Sequence, residues 1–464
     1  MPVEVWFIAA LLAIICVTFM LFKRPIYECM FYGFVLMVIL TANFSGGFSG
    51  FMLSVKDAFV DNVVKTSTDT LFFSIIGFLV LAKILDATKA MDSIVDILVS
   101  VLGRFKGGAA YIAVVGSTFM GALSGSGAGN VATTGVFTIP AMKKSGIPAH
   151  LAANIESSCS TMGNMIPPAG VILTALSAYN AYRISLNQPE MAQSVFWIAC
   201  WGVALWFILQ RIITVFVFCK IYKVKPMDKS ELPSFRESLK KGWKNLLLPL
   251  IILLPFVLDS MFKTTFFKAR LGAGASNLSS CLLLFTPGIA SIYAILVNRK
   301  NLKGTNLFAV MKKSVSGIVP VGATIFFAYC ISNLFSTTNI GPAIGEYIKG
   351  FNMPLVVLAL LVPLFTAILG MVLPGSAQTK IFGGTIIAIF AAAGGNPLLA
   401  AVMLPVITGA MEGMTPPFAL CMYTAMGIAG SKMKETTLNC LIWVGLHYLL
   451  AVVCLLGLLP IIGI

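Results

Sequence analysis

Residues 121–146 read GALSGSGAGNVATTGVFTIPAMKKSG, and this stretch decides the fold. It lies mostly within an apolar segment, 109–141, that the SGSG sequence at 124–127 interrupts. Basic residues flank the segment at both ends, with Lys106 before it and Lys143 after it. Because membrane proteins keep positive charge on the cytoplasmic side, both ends are expected on that side. The segment is therefore predicted to enter the membrane and return as a re-entrant helical hairpin with 124–127 at its tip.

The second half of the chain repeats this pattern. LSGS at 123–126 matches LPGS at 373–376, MIPP at 165–168 matches MTPP at 414–417, and GIP at 146–148 matches GNP at 395–397. Residue 373 follows 123 by 250 positions, 414 follows 165 by 249, and 395 follows 146 by 249. Three matches in the same order are not plausibly chance, so the chain is predicted to contain an internal repeat.

Two further apolar segments are interrupted by proline-containing sequences. The first, 148–182, contains GNMIPP at 163–168, and the second, 397–430, contains EGMTPP at 412–417. We interpret both as broken helices. Full spans are predicted at 5–22, 26–43, 70–88, 194–221, 246–262, 275–297, 315–335 and 437–461, with amphipathic segments at 91–105 and 340–350.

The fold class predicted from these segments is an all-α polytopic membrane protein of two inverted repeats. Each repeat has three spans, a re-entrant helical hairpin, a broken helix and one further span. The second hairpin, 353–393, is followed by an uncharged loop and fits an opening to the outside, so each half crosses an odd number of times and the copies are inverted. The predicted division is scaffold spans in 1–90, half of a transport domain in 91–190, scaffold spans in 191–335 with a cytoplasmic loop at 223–244, the other half of the transport domain in 336–430, and a C-terminal span in 431–464.

Composition places the chain in a lipid bilayer. Hydrophobic residues make up 58% of the chain and charged residues 11%, which is too apolar for a soluble domain of 464 residues. The net charge of +15 could suggest nucleic acid, but the basic residues concentrate in alternate loops, so no nucleic-acid partner is expected. The first span, 5–22, lacks a basic leader and a cleavage site and is expected to be retained.

Catalytic and metal sites receive little support from the sequence. The ten cysteines are scattered without a CxxC pair, and His150 and His447 are the two histidines, so a zinc site is not expected. An intramembrane enzyme would need a nucleophile with a base, or metal ligands. We therefore expect no catalytic residue and no cofactor.

The breaks favour a secondary transporter. A helix interrupted inside hydrocarbon leaves backbone N–H and C=O groups unpaired at several kcal/mol each. Such breaks persist where protein, water or a bound ion satisfies them; a purely structural kink is the alternative for any one break. Ser-Gly tips suit a dehydrated monovalent cation, and half-helix N termini suit a carboxylate. A passive channel is less well supported, because inverted hairpins suggest alternating access.

The same stretches resemble a known family. Residues 121–146 resemble the first hairpin of the large membrane subunit of TRAP transporters, the DctM-like family, particularly its TAXI branch. ESSCSTMGNMIPP at 156–168 resembles that family's first broken helix. GMVLP at 370–374 and TPP at 415–417, with GIAG at 427–430, resemble its second-repeat motifs. The resemblance covers nearly the whole chain.

This resemblance implies an elevator-type importer of an organic acid in a bacterial inner membrane. Such proteins usually couple uptake to sodium, one ion per hairpin, although some TAXI systems can use protons. They work with a small four-span membrane subunit, expected here on a separate chain, and with an extracytoplasmic substrate-binding protein. The alternative is a stand-alone cation-coupled carboxylate carrier or antiporter without a binding protein, and neighbouring genes for the two partners would discriminate.

The family's sites carry over to named positions in this chain. The first sodium site is assigned to Ser124, Gly125, Ser126, Asn130, Gly163 and Asn164. The second is assigned to Gly370, Pro374, Gly375, Ser376, Gly413 and Thr415. The substrate site is assigned to Ser126, Thr133, Thr134, Met165, Ser376, Lys380 and Thr415. The sequence GSAQTK at 375–380 departs from the family pattern of threonines, small residues and an aromatic.

Charged residues in the interrupted segments have two readings each. Lys380 could pair a substrate carboxylate or replace a sodium ion by its charge, or it could pair with Glu412 or reach water. Glu156 could form a structural hydrogen bond with the first hairpin or couple a proton. Arg211 is predicted to extend to the inner membrane surface, and His447 to be a hydrogen-bonded core residue.

Overall fold

A computed structural model describes residues 3–44, 46–124, 127–227, 232–262, 266–272, 274–302, 307–338, 350, 353–371, 373–416 and 419–464. Regular structure in these ranges is helical throughout, as predicted. The predicted amphipathic segment 340–350 lies almost entirely outside them.

The helices of the first part follow each other closely. They are α1 (Val3–Cys16) with a π-helical turn at Val17–Leu21, α2 (Ile26–Thr41), α3 (Gly47–Ser67), α4 (Thr70–Ala87), α5 (Ala90–Leu102), α6 (Gly108–Ser124), α7 (Gly127–Lys144), α8 (Ala149–Ser160) with a 3-10 turn at Thr161–Asn164, α9 (Gly170–Ser185) and α10 (Gln193–Ile221).

The second part has a comparable series. It contains α11 (Phe235–Gly242), a 3-10 turn at Asn245–Leu247, α12 (Leu248–Phe262), α13 (Lys268–Leu271), α14 (Gly274–Val297), α15 (Leu307–Thr337), α16 (Leu355–Gly370), α17 (Gly375–Ala392), α18 (Pro397–Pro405) with a π-helical turn at Val406–Ala410, α19 (Leu420–Ala429) and α20 (Met433–Leu455).

Helix α3 was not predicted. Residues Gly47–Ser67 form a helix of 21 residues, yet they carry Lys56, Asp57, Asp61 and Lys65, which interrupt the hydropathy that marks a span. These charges make the segment less apolar than a membrane span, so a search for spans passes over it. Helix α15 also begins before the predicted 315, so Lys312 lies in the helix rather than in a loop.

Two of the described helices, α10 and α20, are long and apolar enough to cross a bilayer by length and composition. Several shorter apolar helices accompany them, including α2, α16 and α19. The shortness of α16 and α19 follows from the breaks beside them, because each ends or begins at an interruption of an apolar segment.

The hairpins and broken helices pack together across the two parts. Helix α7 packs against α8 and also against α19, while α17 packs against α18 and also against α9. Outside this group, α2 packs against α15 and α4 against α14. The arrangement brings the hairpin of each half against the broken helix of the other half.

Local sequence explains where several helices of the second half begin or end. Asn396 caps α18 by accepting from the backbone N–H groups of Leu398 at 2.9 Å and Leu399 at 3.3 Å, with Pro397 in the first turn. Pro354 and Pro374 precede α16 and α17. Gly430 ends α19 in the left-handed conformation, with φ of 65°, which a residue with a side chain adopts at a cost.

Candidate binding site at the helix breaks

The first arm of each hairpin touches a break at a glycine. A methyl group placed on Gly121 would lie 3.0 Å from the Cα atom of Gly163, and one on Gly370 would lie 3.3 Å from the Cα atom of Glu412. These distances leave room for glycine and little more. The hairpin backbone therefore lies directly against the backbone of the interrupted helix.

The second arms begin against the breaks as well. A methyl group on Gly375 would lie 2.3 Å from the Cα atom of Gly409. One on Gly127 would lie 2.7 Å from the Cys421 sulfur and 3.4 Å from the carbonyl oxygen of Ser160. The N termini of α7 and α17 thus lie against the buried backbone of the two broken helices.

Asn164 connects three of the interrupted elements. Its Oδ1 atom accepts a hydrogen bond from the backbone N–H of Gly127 at 3.3 Å, and its Nδ2 atom donates to the carbonyl oxygen of Gly409. The residue is 7% exposed. One side chain therefore satisfies a donor at the first hairpin and an acceptor in the second broken helix.

Asn130 holds the first hairpin together from its second arm. Its amide donates to the carbonyl oxygens of Ser117 at 2.8 Å and Ser160 at 3.3 Å. The side chain is fully buried. Both of these bonds use the Nδ2 atom of Asn130. Its Oδ1 atom lies 3.4 Å from the hydroxyl oxygen of Thr134.

A buried carboxyl lies behind the first hairpin. Glu156 on α8 is fully buried and accepts hydrogen bonds from the hydroxyls of Thr134, Thr138 and Ser160, the last at 3.0 Å. In the part of the chain that the structure describes, no basic side chain forms an ion pair with it. The hydrogen-bond donors to this carboxyl among the described residues are thus hydroxyl groups.

The second break has a carboxyl at a different place. The backbone N–H of Gly375, the first residue of α17, donates to Oε2 of Glu412. A carboxylate at a helix N terminus is favourable because unpaired N–H groups and the helix dipole both attract negative charge. Residue 412 follows Gly163 by 249 positions, so the second half has a carboxylate where the first half has a glycine.

The ammonium of Lys380, on the helix that begins at the second tip, contacts an aromatic ring. It lies 4.2 Å from the ring centroid of Tyr329, a fully buried residue of α15. Glu412, with which a pairing was considered, accepts instead from Gly375. Lys380 and Glu412 thus have different neighbours, although both lie near the second tip.

The other predicted site residues have varied positions. Gly125 and Ser126 lie outside the described residues, as do the side chains of Ser124 and Thr133, although their backbones belong to α6 and α7. Met165 is 2% exposed, Ser376 8% and Thr415 6%. The Thr415 hydroxyl donates to the Met411 carbonyl oxygen at 2.9 Å, Gly413 packs against Cys421, and Pro374 and Gly370 flank the second tip.

The prediction for Arg211 was wrong. Its side chain is fully buried, with Nε donating to the Ser158 carbonyl oxygen at 2.8 Å and an Nη atom 3.2 Å from the Thr161 hydroxyl. His447 was predicted correctly as a bonded core residue: one ring nitrogen is 3.4 Å from Arg211 and the other 3.0 Å from the carbonyl oxygen of Val406. The carbonyl oxygen of Ser158 lies in the last turn of α8, where no later helical N–H binds it, and Arg211 donates to it inside the protein instead of extending to the membrane surface.

Sequence reasoning offered a hydrogen bond between Glu156 and the first hairpin, which the structure shows, but did not identify the hydroxyls that form it. Asn130, Thr134 and Thr138 recur at every fourth position and so lie on one face of α7, while Glu156 and Ser160 have the same spacing on α8. This polar stripe in an apolar segment was the available signal.

Comparisons with known proteins agree on one family. A family model described as the DctM component of the tripartite ATP-independent periplasmic transporter matches residues 7–462. The C4-dicarboxylate TRAP transporter large permease protein DctM of Vibrio cholerae is 25% identical over 392 residues, covering 82% of each chain. Its namesake from Pseudomonas aeruginosa is 22% identical, again over 82% of each. The isethionate TRAP transporter permease protein DctMQ of Oleidesulfovibrio alaskensis is 22% identical, over 81% of this chain and 55% of that protein.

Two solved structures share the fold. One is MtrF of Neisseria gonorrhoeae, described within a class of antimetabolite efflux pumps, and the other is the YdaH transporter of Alcanivorax borkumensis. Each has a TM-score of 0.61 and 15% identity. The matches cover 92% of this chain and 94% of MtrF, and 94% of this chain and 99% of YdaH. At this identity the likeness speaks for the fold alone.

Proposed function

This chain belongs to the DctM component family of tripartite ATP-independent periplasmic (TRAP) transporters, and we propose that it is a large permease subunit that imports an organic acid together with a coupling cation. Members of this family are transporters, so the chain is a multi-pass membrane transport protein and not an enzyme. Its proposed location is a bacterial inner membrane.

The observation that supports this proposal best is the meeting of the helix breaks around Asn164. Its amide binds both the N terminus of α7 and the carbonyl oxygen of Gly409. Backbone polar groups of the first hairpin and of the second broken helix therefore meet at this buried side chain of the first broken helix. In a membrane such backbone is tolerated where it lines a site or is buried in protein, and transporters use it to bind substrate and ions.

The proposed coupling ion is sodium. Sodium prefers oxygen ligands, as other hard cations do, and the breaks offer carbonyl and amide oxygens at Asn130 and Asn164 in the first half. In the second half the carboxyl group of Glu412 lies beside Gly375 and Gly413. We expect the two cation sites to differ in affinity for this reason.

The proposed substrate class is a carboxylate. The relatives named for their substrates include transporters of C4-dicarboxylates and of 2,3-diketo-L-gulonate, which are carboxylates, and of isethionate, which is a sulfonate. In this chain the N terminus of α7 and the ammonium of Lys380 are groups that can attract an anion near the tips. The carried acid is proposed to lie between the tips.

The proposed mechanism is an elevator movement of two inverted repeats. The mixed packing of α7 on α19 and α17 on α9 supports treating hairpins and broken helices as one moving body. The reciprocal pairs α2 with α15 and α4 with α14 support a separate scaffold. Gly274, which begins α14, follows Ile26, which begins α2, by 248 positions, close to the repeat offset.

The proposed partners are a small four-span membrane subunit and an extracytoplasmic substrate-binding protein. The C4-dicarboxylate relatives are named as large permease proteins, so a small subunit is proposed to work beside this chain.

Reconstituted uptake tests the proposal. The chain would be placed in liposomes with its small subunit and binding protein, and labelled succinate, glutamate and gluconate would be offered separately while sodium and pH gradients are varied independently. We expect uptake of at least one acid that requires an inward sodium gradient and the binding protein. Uptake without the binding protein would favour a stand-alone carrier, and uptake driven by a pH gradient without sodium would reject the proposed coupling ion.

A further inference from the structure

Lys380 lies about one turn from the second tip, on the face of α17 that carries Ser376. Ser376, Lys380 and Gly384 are spaced by four residues and therefore share one face of the helix. A methyl group added at Gly384 would meet no atom within 4 Å, so open space adjoins this face. Thr379 faces another way, with its hydroxyl 2.9 Å from that of Thr408 in the second break.

The neighbours of Lys380 belong to the proposed scaffold. Its ammonium lies over the ring of Tyr329 on α15, at a distance that permits a cation–π interaction. Asp69, between α3 and α4, binds the backbone N–H of Phe72, whose ring packs beside that of Tyr329, so its charge lies in the surroundings of Lys380. The ammonium of Lys380 thus lies near an aromatic ring of α15 and near the carboxylate between α3 and α4.

The groups that meet Lys380 are held in place by their own helices. Oδ1 of Asp69 accepts from the backbone N–H of Phe72 at 3.3 Å, which caps the start of α4. The ring of Phe72 lies 6.3 Å from that of Tyr329. These contacts fix the carboxylate and the ring relative to each other.

Helices α3 and α15 are also joined by polar contacts next to Tyr329. The Thr66 hydroxyl lies 3.4 Å from the Cys330 sulfur and 3.1 Å from the Asn333 amide nitrogen. Helix α17 packs against α15, and α15 in turn packs against α3 and α4.

We propose that Asp69 is the resting counter-charge of Lys380 and that a carboxylate of the transported acid displaces it. The inference rests on the proposed function, because it needs an organic acid as cargo. Separating a buried ammonium from its counter-charge is costly, so Lys380 exchanges one carboxylate for another rather than losing its partner. Asp69 then competes with the substrate and sets its apparent affinity.

Asp69→Asn provides the test, because asparagine keeps the helix cap and removes the charge. In liposomes with both partners, using whichever of succinate, glutamate and gluconate the wild type takes up, the KM should fall about five-fold or more, the range of coupled sites. Lys380→Gln should raise the KM, and adding Asp69→Asn to it should lower the KM no further. Asp61→Asn, an exposed charge on α3, should leave the KM unchanged.

Thermal stabilisation of the purified protein by the same acid gives a readout without transport. It should increase in Asp69→Asn and disappear in Lys380→Gln, and Asp69→Ser serves as a second uncharged cap if the asparagine variant does not fold. An unchanged KM in Asp69→Asn, or a decrease that persists beside Lys380→Gln, would overturn this inference while leaving the proposed function intact. No uptake of any acid by the wild type would instead refute the proposed function.

Discussion

At the scale of single residues, Glu156 and Asn164 form hydrogen bonds that connect the first broken helix to the first hairpin and to the second broken helix. Glu156 receives hydroxyls from α7 and from its own helix, and Asn164 bonds to the first hairpin and to the second broken helix. Both are polar groups in an apolar bundle, where an unsatisfied partner is costly. Their roles can be separated from ion coupling by conservative changes.

Replacing Glu156 distinguishes its hydrogen bonds from its charge. Glu156→Ala leaves the hydroxyls of Thr134, Thr138 and Ser160 without their acceptor, at about 1–3 kcal/mol for each group that finds no other partner. Glu156→Gln keeps an acceptor and should destabilise much less. Thermal unfolding in detergent measures both. If Gln retains sodium-driven uptake, the role is structural; loss of coupling with normal stability would instead indicate that the carboxyl takes part in cation coupling.

Asn164→Ala should remove stability and uptake together. The N–H of Gly127 and the carbonyl oxygen of Gly409 would lose their partner, at about 1–3 kcal/mol each. Asn396→Ala is the matched control, because it removes a helix cap worth about 1 kcal/mol at a place remote from the breaks. The control should keep its sodium dependence. Asn164→Ala with normal sodium-driven uptake would show that the bridge is not part of the site.

At the scale of elements, sequence predicted the interruptions well. The SGSG and LPGS tips separate α6 from α7 and α16 from α17, and the two proline-containing breaks follow α8 and α18. Glycine and proline act locally, so their effect on a helix can be read from the sequence. Helix α3 was missed because its four charged residues make it less apolar than the spans that the search looks for.

Contacts between distant residues could not be predicted in the same way. Asn164 and Gly409 are separated by 245 positions, and Lys143 donates to the carbonyl oxygen of Ala429, 286 positions away. Arg211 was predicted to reach water because nothing near it in sequence indicates that a broken helix offers it carbonyl oxygens. Residue types and spacing identify the breaks, whereas only the packed helices decide which side chain satisfies which break.

The close approach of α17 to the second break can be tested at Gly375. Gly375→Ala would place a methyl group 2.3 Å from the Cα atom of Gly409, so backbone must move. Overpacking of this kind costs about 1–3 kcal/mol, and we expect lower thermal stability and loss of uptake. Gly445→Ala, in the interior of α20 with no atom within 4 Å, should be neutral or stabilising. Equal stability of the two variants would contradict the described packing.

At the scale of the whole molecule, the hairpins and broken helices of the two halves pack against each other. Each hairpin packs on the broken helix of the other half, so the polar groups of one half are satisfied partly by its counterpart. Family membership explains what such an arrangement is used for, and the proposed inverted orientation explains how the site could face either side of the membrane in turn. Opposite orientation of the two halves is the claim on which the elevator proposal depends.

Cysteine labelling from the two sides of the membrane tests that claim most directly. Lys144 and Ala392 are exposed and end α7 and α17, the second arms of the two hairpins. Each would be replaced singly by cysteine after Cys281→Ser, since Cys281 is exposed while the other cysteines are buried or half-buried. An impermeant maleimide should label position 392 in right-side-out vesicles and position 144 in inverted ones. Labelling of both positions from the same side would contradict the account.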